Sequence, residues 1–391
     1  MKYLLALSVV LALLLSGLVT VFILANSFGW DAQLYCQAAA LDRAGENPYL
    51  AQNFPGGLPW LYPPALLNIL AGLCASPLHF AASFPVIYLA ITLLSLFAWQ
   101  PGKDWLLALA LAVSALAGLA WSLWTGNLEI FLLLPVSLAF RDVRRARWQA
   151  AAFWLGIVAA IKIVPLVYLV LLLLAPLSGR QRLRLLAVGA GSFLLAWSLL
   201  SLSRPDLLLS YLLQLSGRLP GQENPAAEFG SINHPAFPFL FVTLFGWPND
   251  LSGWLFGLFV GGLLAIGLFG LAWRCFAPRL QATDRQVFFF SLGFLLLSLV
   301  MPRFKPYTFL LLAPALFELL RPLSARWKSI LLFVASFPLM AFYVYYHWLG
   351  LRSTLWWAIY SQPLALLACI LLILVAEWRR LSPLRPYART P

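Results

Sequence analysis

Charge is what this chain has least of. Only 10% of its 391 residues are Asp, Glu, Lys or Arg, against 62% hydrophobic ones, and a mean hydropathy of +0.88 excludes a soluble globular domain. Cysteine and histidine are scarce as well, at 4 and 3 residues. Cys36, Cys74, Cys275 and Cys369 lack both zinc and redox spacing and read as small core residues. Nothing has the spacing of a P-loop, a dinucleotide fingerprint, a metal cluster or a nucleophile elbow, and no repeat recurs at a solenoid period. No metal and no cofactor is expected.

What is present in quantity is apolar sequence, broken by short basic loops. The net charge of +13 would suit nucleic acid if the cations were gathered in one patch. Instead they cluster between apolar runs, as at Arg141, Arg144, Arg145 and Arg147, at Arg180, Arg182 and Arg184, and at Arg274, Arg279 and Arg285. That placement is the positive-inside signature of a multi-pass membrane protein. The charge reports topology, and no nucleic-acid partner is implied.

The expected architecture is all-α: a polytopic transmembrane bundle of about 10–13 membrane helices, some short or re-entrant, at about 20 residues per full crossing. Residues 1–391 read as one membrane domain. The first run, from Tyr3 to about Ala25, is long for a signal-peptide core and reads as an uncleaved anchor. Two long polar loops follow on the extracytoplasmic side, at 26–61 and 203–238, each with an amphipathic stretch that suits an interfacial helix. Between the first loop and the Arg141–Arg147 cluster lie four apolar runs where an odd number of crossings is required, so the short run after Pro64 is expected to be re-entrant or interfacial. The apolar segment 149–176 carries Lys162 and Pro165 near its middle and reads as two short helices meeting at a charged tip.

Seven cations run against the topology rule: Arg43, Lys162, Arg204, Arg218, Arg303, Lys305 and Arg352. An anionic lipid-linked substrate would account for them; snorkelling or pairing with Asp42, Asp206 or Glu228 is the alternative. Asp31, directly after the first crossing, has the chemistry of a general base for an acceptor hydroxyl, or of an N-cap for the stretch that follows. Glu129 either pairs with Lys162 or meets sugar hydroxyls. His234 is a proton shuttle or a solvated loop residue. Trp30, Trp60 and Trp124 either line a sugar site or belong to the interfacial belt.

Taken in order, Asp31 with Tyr35, Gly45-Glu46-Asn47-Pro48-Tyr49, Tyr62-Pro63-Pro64, Gly126-Asn127-Leu128-Glu129 and Ala159-Ala160-Ile161-Lys162 with Pro165 resemble the successive signatures of glycosyltransferase family 87. A weaker likeness continues through Asn233 and the 303–307 loop. These are integral-membrane, GT-C class mannosyltransferases. The resemblance implies a metal-independent, inverting hexosyltransferase. It would take a sugar, usually mannose, from a polyprenyl-phosphate donor at the extracytoplasmic face and pass it to a glycolipid or glycan acceptor. Asp31 would be the catalytic base. Lys162 would meet the donor phosphate, a task that the charge argument extends to Arg303 and Lys305, and Tyr35, Asn47, Tyr62, Asn127, Glu129, Asn233, His234 and Tyr307 are the expected substrate contacts. The expected location is a bacterial inner membrane, with the site on its periplasmic side. A transporter or flippase of a lipid-linked sugar would use a similar cationic cavity. The family's Gly-Gln-x-Asn is here Gly126-Asn127-Leu128-Glu129, and Lys305 and Tyr307 stand in an outer loop that often bears histidine.

Overall fold

The computed structural model describes residues 2–25, 29–54, 60–75, 79–216, 218–219, 237, 240, 251–301, 304–344 and 356–382. Among the described residues every element is helical. Helix α1 (Lys2–Ala25) is followed by α2 (Trp30–Arg43), α3 (Ala65–Ala75) and α4 (Phe80–Trp99). Helices α5 (Trp105–Ser114) and α6 (Gly118–Thr125) form one broken run, and a 3-10 turn at Leu128–Leu132 leads into α7 (Leu133–Arg144). Helix α8 (Trp148–Ile161), a 3-10 segment at Val164–Leu174, α9 (Gly179–Leu202) and α10 (Pro205–Leu215) come next. The remainder is α11 (Leu251–Phe276), α12 (Ala282–Val300), a 3-10 segment at Pro306–Leu312, α13 (Ala313–Leu320), α14 (Ala325–Val344) and α15 (Trp356–Leu381).

Seven of the described helices are long and apolar enough to cross a membrane, and four shorter apolar ones accompany them. Leucines and phenylalanines such as Leu14, Leu195, Leu199 and Phe259 are exposed along α1, α9 and α11, as they are where lipid tails take the place of water. The chain is an integral multi-pass membrane protein.

The parity of the first half is resolved by α3. Cys36 of α2 and Cys74 of α3 form a disulfide, with their Cα atoms 5.6 Å apart, so α3 folds back at the end of the bundle that carries α2. Three crossings then remain before the first basic cluster. Helix α4 starts where Phe84 packs on Gly29 and ends where Arg144 donates to the Trp99 carbonyl at 2.8 Å. The α5–α6 run returns, and the 3-10 turn with α7 crosses again. Two of the four cysteines are therefore a covalent staple and not core packing; the expectation fails because a pair 38 residues apart cannot be matched from spacing.

Two breaks bring polar groups into the bundle. The chain from α8 turns at Lys162, whose backbone is extended, and returns through Val164–Leu174, with Pro165 at the start of the second leg. Inside the α5–α6 run, Leu116 and Ala117 adopt positive φ of 54° each. The freed Leu116 carbonyl accepts a hydrogen bond from Gln362 Nε2 of α15, which also donates to the Pro306 carbonyl at 2.9 Å. One buried amide thus satisfies the backbone at two helix breaks, as lipid-level carbonyls require.

Candidate active site

The start of α2 is set against the end of α6 by two glycines. Gly29 caps α2 at φ +49°, with the Phe84 ring where a Cβ would stand, and its N–H donates to the Trp124 carbonyl at 2.9 Å. Gly126 ends α6 at φ +76°, its missing Cβ leaving room for Ala32. Non-glycine residues rarely adopt such angles, and here a side chain would also collide. The Gly126 carbonyl is held by the Tyr88 hydroxyl at 2.7 Å.

This contact aims Asp31 at Asn127. Asp31 is the second residue of α2, and the N-cap position belongs to Gly29, which offers no side chain; the capping alternative for Asp31 is therefore incorrect. Its Oδ2 instead accepts from Asn127 Nδ2 at 2.8 Å. The same amide nitrogen donates to the Tyr35 hydroxyl at 3.1 Å. On its other side, Asn127 Oδ1 accepts from the Tyr62 hydroxyl at 3.2 Å and from the Glu129 N–H at 3.0 Å. Asn127 is buried, and these bonds fix its amide orientation and, through it, one oxygen of Asp31. Burial lifts the Asp31 carboxyl above the ordinary aspartate range, opposed by the Asn127 hydrogen bond and by the Lys305 ammonium nearby. The Thr125 hydroxyl also lies beside Asp31, buried and without a hydrogen bond of normal geometry among the described residues.

A second cluster adjoins the first. Glu129, next but one to Asn127, forms an ion pair with Lys162 and accepts from the Thr308 hydroxyl. Lys162 Nζ lies 5.6 Å from the centre of the Tyr307 ring. The tip between α8 and its returning leg, the turn after α6 and the 305–308 segment thus meet at the same end of the bundle. Trp30 and Trp124 stand edge to face, 4.7 Å between centroids, with Trp30 exposed and Trp124 buried.

The structure brings together Asp31, Tyr35, Tyr62, Asn127, Glu129, Lys162, Lys305 and Tyr307. It does not bring Asn47 to them: Asn47 Nδ2 donates to Ser210 of α10 at 2.7 Å, and its Oδ1 accepts from the Tyr49 N–H at 2.9 Å. Arg204 likewise has a structural task, gripping Asp42 through two bonds of 2.7 and 2.8 Å and Asp206 through two more. Arg303, Asn233 and His234 lie outside the described residues, as do Arg352 and most of the second polar loop. Sequence reasoning missed Tyr88, Thr125 and Thr308, whose hydroxyls sit in apolar runs and give no local signal there.

The model of glycosyltransferase family 87 matches residues 55–302, a span that includes Tyr62, Asn127, Glu129 and Lys162 and leaves Asp31 and Lys305 on either side. No curated protein matches the chain significantly. Among solved structures, the crystal structure of ArnT from Cupriavidus metallidurans bound to undecaprenyl phosphate aligns over 96% of this chain and 78% of that one, at 14% identity and a TM-score of 0.43. With the family match covering well over half of its length, the chain belongs to glycosyltransferase family 87.

Proposed function

We propose that this glycosyltransferase moves a hexose, most simply mannose, from a polyprenyl-phosphate carrier to a glycolipid or glycan hydroxyl, with inversion and without a metal. Asp31 is the general base. The carrying observation is the Asp31–Asn127 pair: a carboxylate with one oxygen tied at 2.8 Å, placed at the start of α2 beside a cation, Lys305. A base must be within reach of the proton it takes and matched to it in pKa, and the burial of Asp31 raises its basicity toward that need.

The reaction needs little else from the protein. As the acceptor oxygen attacks the anomeric carbon, its proton passes to the second Asp31 oxygen and the glycosidic bond to the phosphate breaks. The carrier departs as a phosphate whose developing charge Lys305 and Lys162 stabilise. Arg303 is proposed for the same task from its place in the sequence. Lys162 enters through its Glu129 pair, which holds the ammonium in place. Tyr35, Tyr62 and Tyr307 offer hydroxyls to the sugar, and the Thr125 hydroxyl offers one to the acceptor. The exposed face of Trp30 suits a pyranose ring. The Cys36–Cys74 disulfide supports an oxidising compartment at this end, which is the periplasmic face if the membrane is a bacterial inner one.

The test is transfer of radiolabelled sugar from polyprenyl-phosphate-mannose to total membrane acceptors by the purified chain in EDTA. Incorporation with inverted anomeric configuration is expected. Loss of transfer in EDTA, restored by a divalent cation, would overturn the metal-independent reading. Movement of intact lipid-linked sugar across vesicles, with no transfer for any sugar on that carrier, would favour a flippase.

A further inference from the structure

A polar cavity lies at the opposite end of the bundle from Asp31, where the basic loops gather. It has a volume of about 320 Å³ and is lined from the ends of α7, α12, α13 and α15 and the turn before α5. That volume is at the low end of small-molecule sites, which run from about 300 to 1,000 Å³. The stretch Gly102–Thr125, 24 residues long, runs between it and the Asp31 end, a span of at most about 36 Å at 1.5 Å per residue.

Its walls carry both signs of charge, and two buried atoms there lack partners among the described residues. Glu377 of α15 is fully buried; one oxygen accepts from Arg380 Nε at 2.7 Å, while Oε1 accepts from nothing. Arg144 of α7 pairs with Glu318 through Nη2, and its buried Nε–H donates to nothing. Arg321 sits close enough to Arg144 to repel it, and its side chain makes no hydrogen bond or ion pair among the described residues. Asp284, which also lines the cavity, lies near enough to Glu377 to repel it in turn. Like charges are thus packed together on both walls. An orphaned donor is buried in one wall and an orphaned acceptor in the other.

Anion alone would answer half of this, cation alone the other half. We propose that the cavity binds the phosphoethanolamine headgroup of a membrane lipid. Its phosphate accepts from Arg321 and from Arg144 Nε, and its primary ammonium donates to Glu377 Oε1 and Asp284. A choline head fails at the second wall, because a quaternary ammonium has no proton to give. Two exposed tryptophans beside the cavity favour a lipid over a soluble ligand. Trp105 and Trp378 directly follow the lining residues Asp104 and Glu377, and both are exposed, at 36% and 47%, in the manner of tryptophans at headgroup level. The Arg279 guanidinium stands 4.9 Å over the Trp378 ring, a cation placed where phosphates lie.

The test uses the full chain, delipidated in detergent, with phosphatidylethanolamine, phosphatidylcholine, phosphatidylglycerol or soluble phosphoethanolamine added. Retained lipid is counted by native mass spectrometry, and thermal stabilisation is followed as a function of concentration. Phosphatidylethanolamine is expected to bind at least tenfold more tightly than the other three, and Arg321→Ala to lose most of that preference while sugar transfer persists. Glu377→Gln, which keeps the volume, is the second variant; it is expected to erase the preference over phosphatidylcholine. Equal binding of phosphatidylcholine and phosphatidylethanolamine would overturn the proposal. So would an unchanged preference in both variants, or soluble phosphoethanolamine binding as well as the lipid.

Discussion

Asn127 is the residue on which the site turns, because one amide contacts Asp31, Tyr35, Tyr62 and the Glu129 backbone at once. Its hydrogen bond favours the ionised form of Asp31, as does Lys305, while burial opposes both. With Asp31 as the proposed base, which works when deprotonated, transfer is expected to fall as pH drops through its pKa. Since that pKa is raised, the acid limb of kcat/KM lies above the ordinary aspartate range. Removing the bond with Asn127→Ala, or the cation with Lys305→Met, moves that limb further up; a pH–rate profile of each variant reads it. A limb that stays put in both variants would mean that another group limits the rate. Much of this cluster was legible: Asp31, Asn127, Glu129 and Lys162 stand out as polar residues in apolar surroundings. The link from Asp31 to Asn127 was not, because 96 residues separate them and the sequence carries no sign of the glycine contact that joins α2 to α6. The capping alternative for Asp31 fails for a local reason, a helix that begins two residues earlier than capping by Asp31 would require, at Trp30, after a left-handed Gly29.

At the scale of elements, the breaks matter more than the helices. The kink at Leu116 and the start of the Pro306–Leu312 segment share one donor, Gln362, and Lys305 directly precedes that segment. Gln362→Leu removes the side-chain donor from two buried carbonyls, and the Leu116 carbonyl left unsatisfied costs about 1–3 kcal/mol. The expected result is a lower thermal midpoint in detergent together with reduced transfer, since Lys305 loses its anchor. Reduced transfer at an unchanged midpoint would place Gln362 in substrate binding instead. The tip at Lys162 was foreseen from its charge and Pro165, because a charged residue in a run too short for two crossings leaves few arrangements. The kink at Leu116 was not foreseeable. Ala115-Leu116-Ala117 are good helix formers, and only packing of Gly118 against Leu310 and the distant Gln362 amide break them.

For the whole molecule, the two ends of the bundle are chemically opposite. Asp31, the disulfide and the Lys305 segment occupy one; the basic loops occupy the other. The positive-inside pattern predicts that division from sequence, and the short α3 explains how four apolar runs satisfy it. The disulfide makes the division measurable. Denatured without reductant, the chain is expected to expose two reactive thiols, Cys275 and Cys369, and with reductant all 4 cysteines. Four thiols without reductant, in protein taken from its own membrane, would place α2 in a reducing compartment. Replacing Cys36 and Cys74 by serine is expected to cost about 2–4 kcal/mol and to lower the thermal midpoint.

Whether Asp31 takes the acceptor proton is read by single-turnover transfer from polyprenyl-phosphate-mannose by wild type and Asp31→Asn, both checked for insertion and thermal midpoint. Asparagine keeps the shape and removes the basicity, so the rate is expected to fall by about 10²–10⁴-fold with the fold intact. Transfer by the variant at close to the wild-type rate would contradict the account and remove Asp31 from the chemistry.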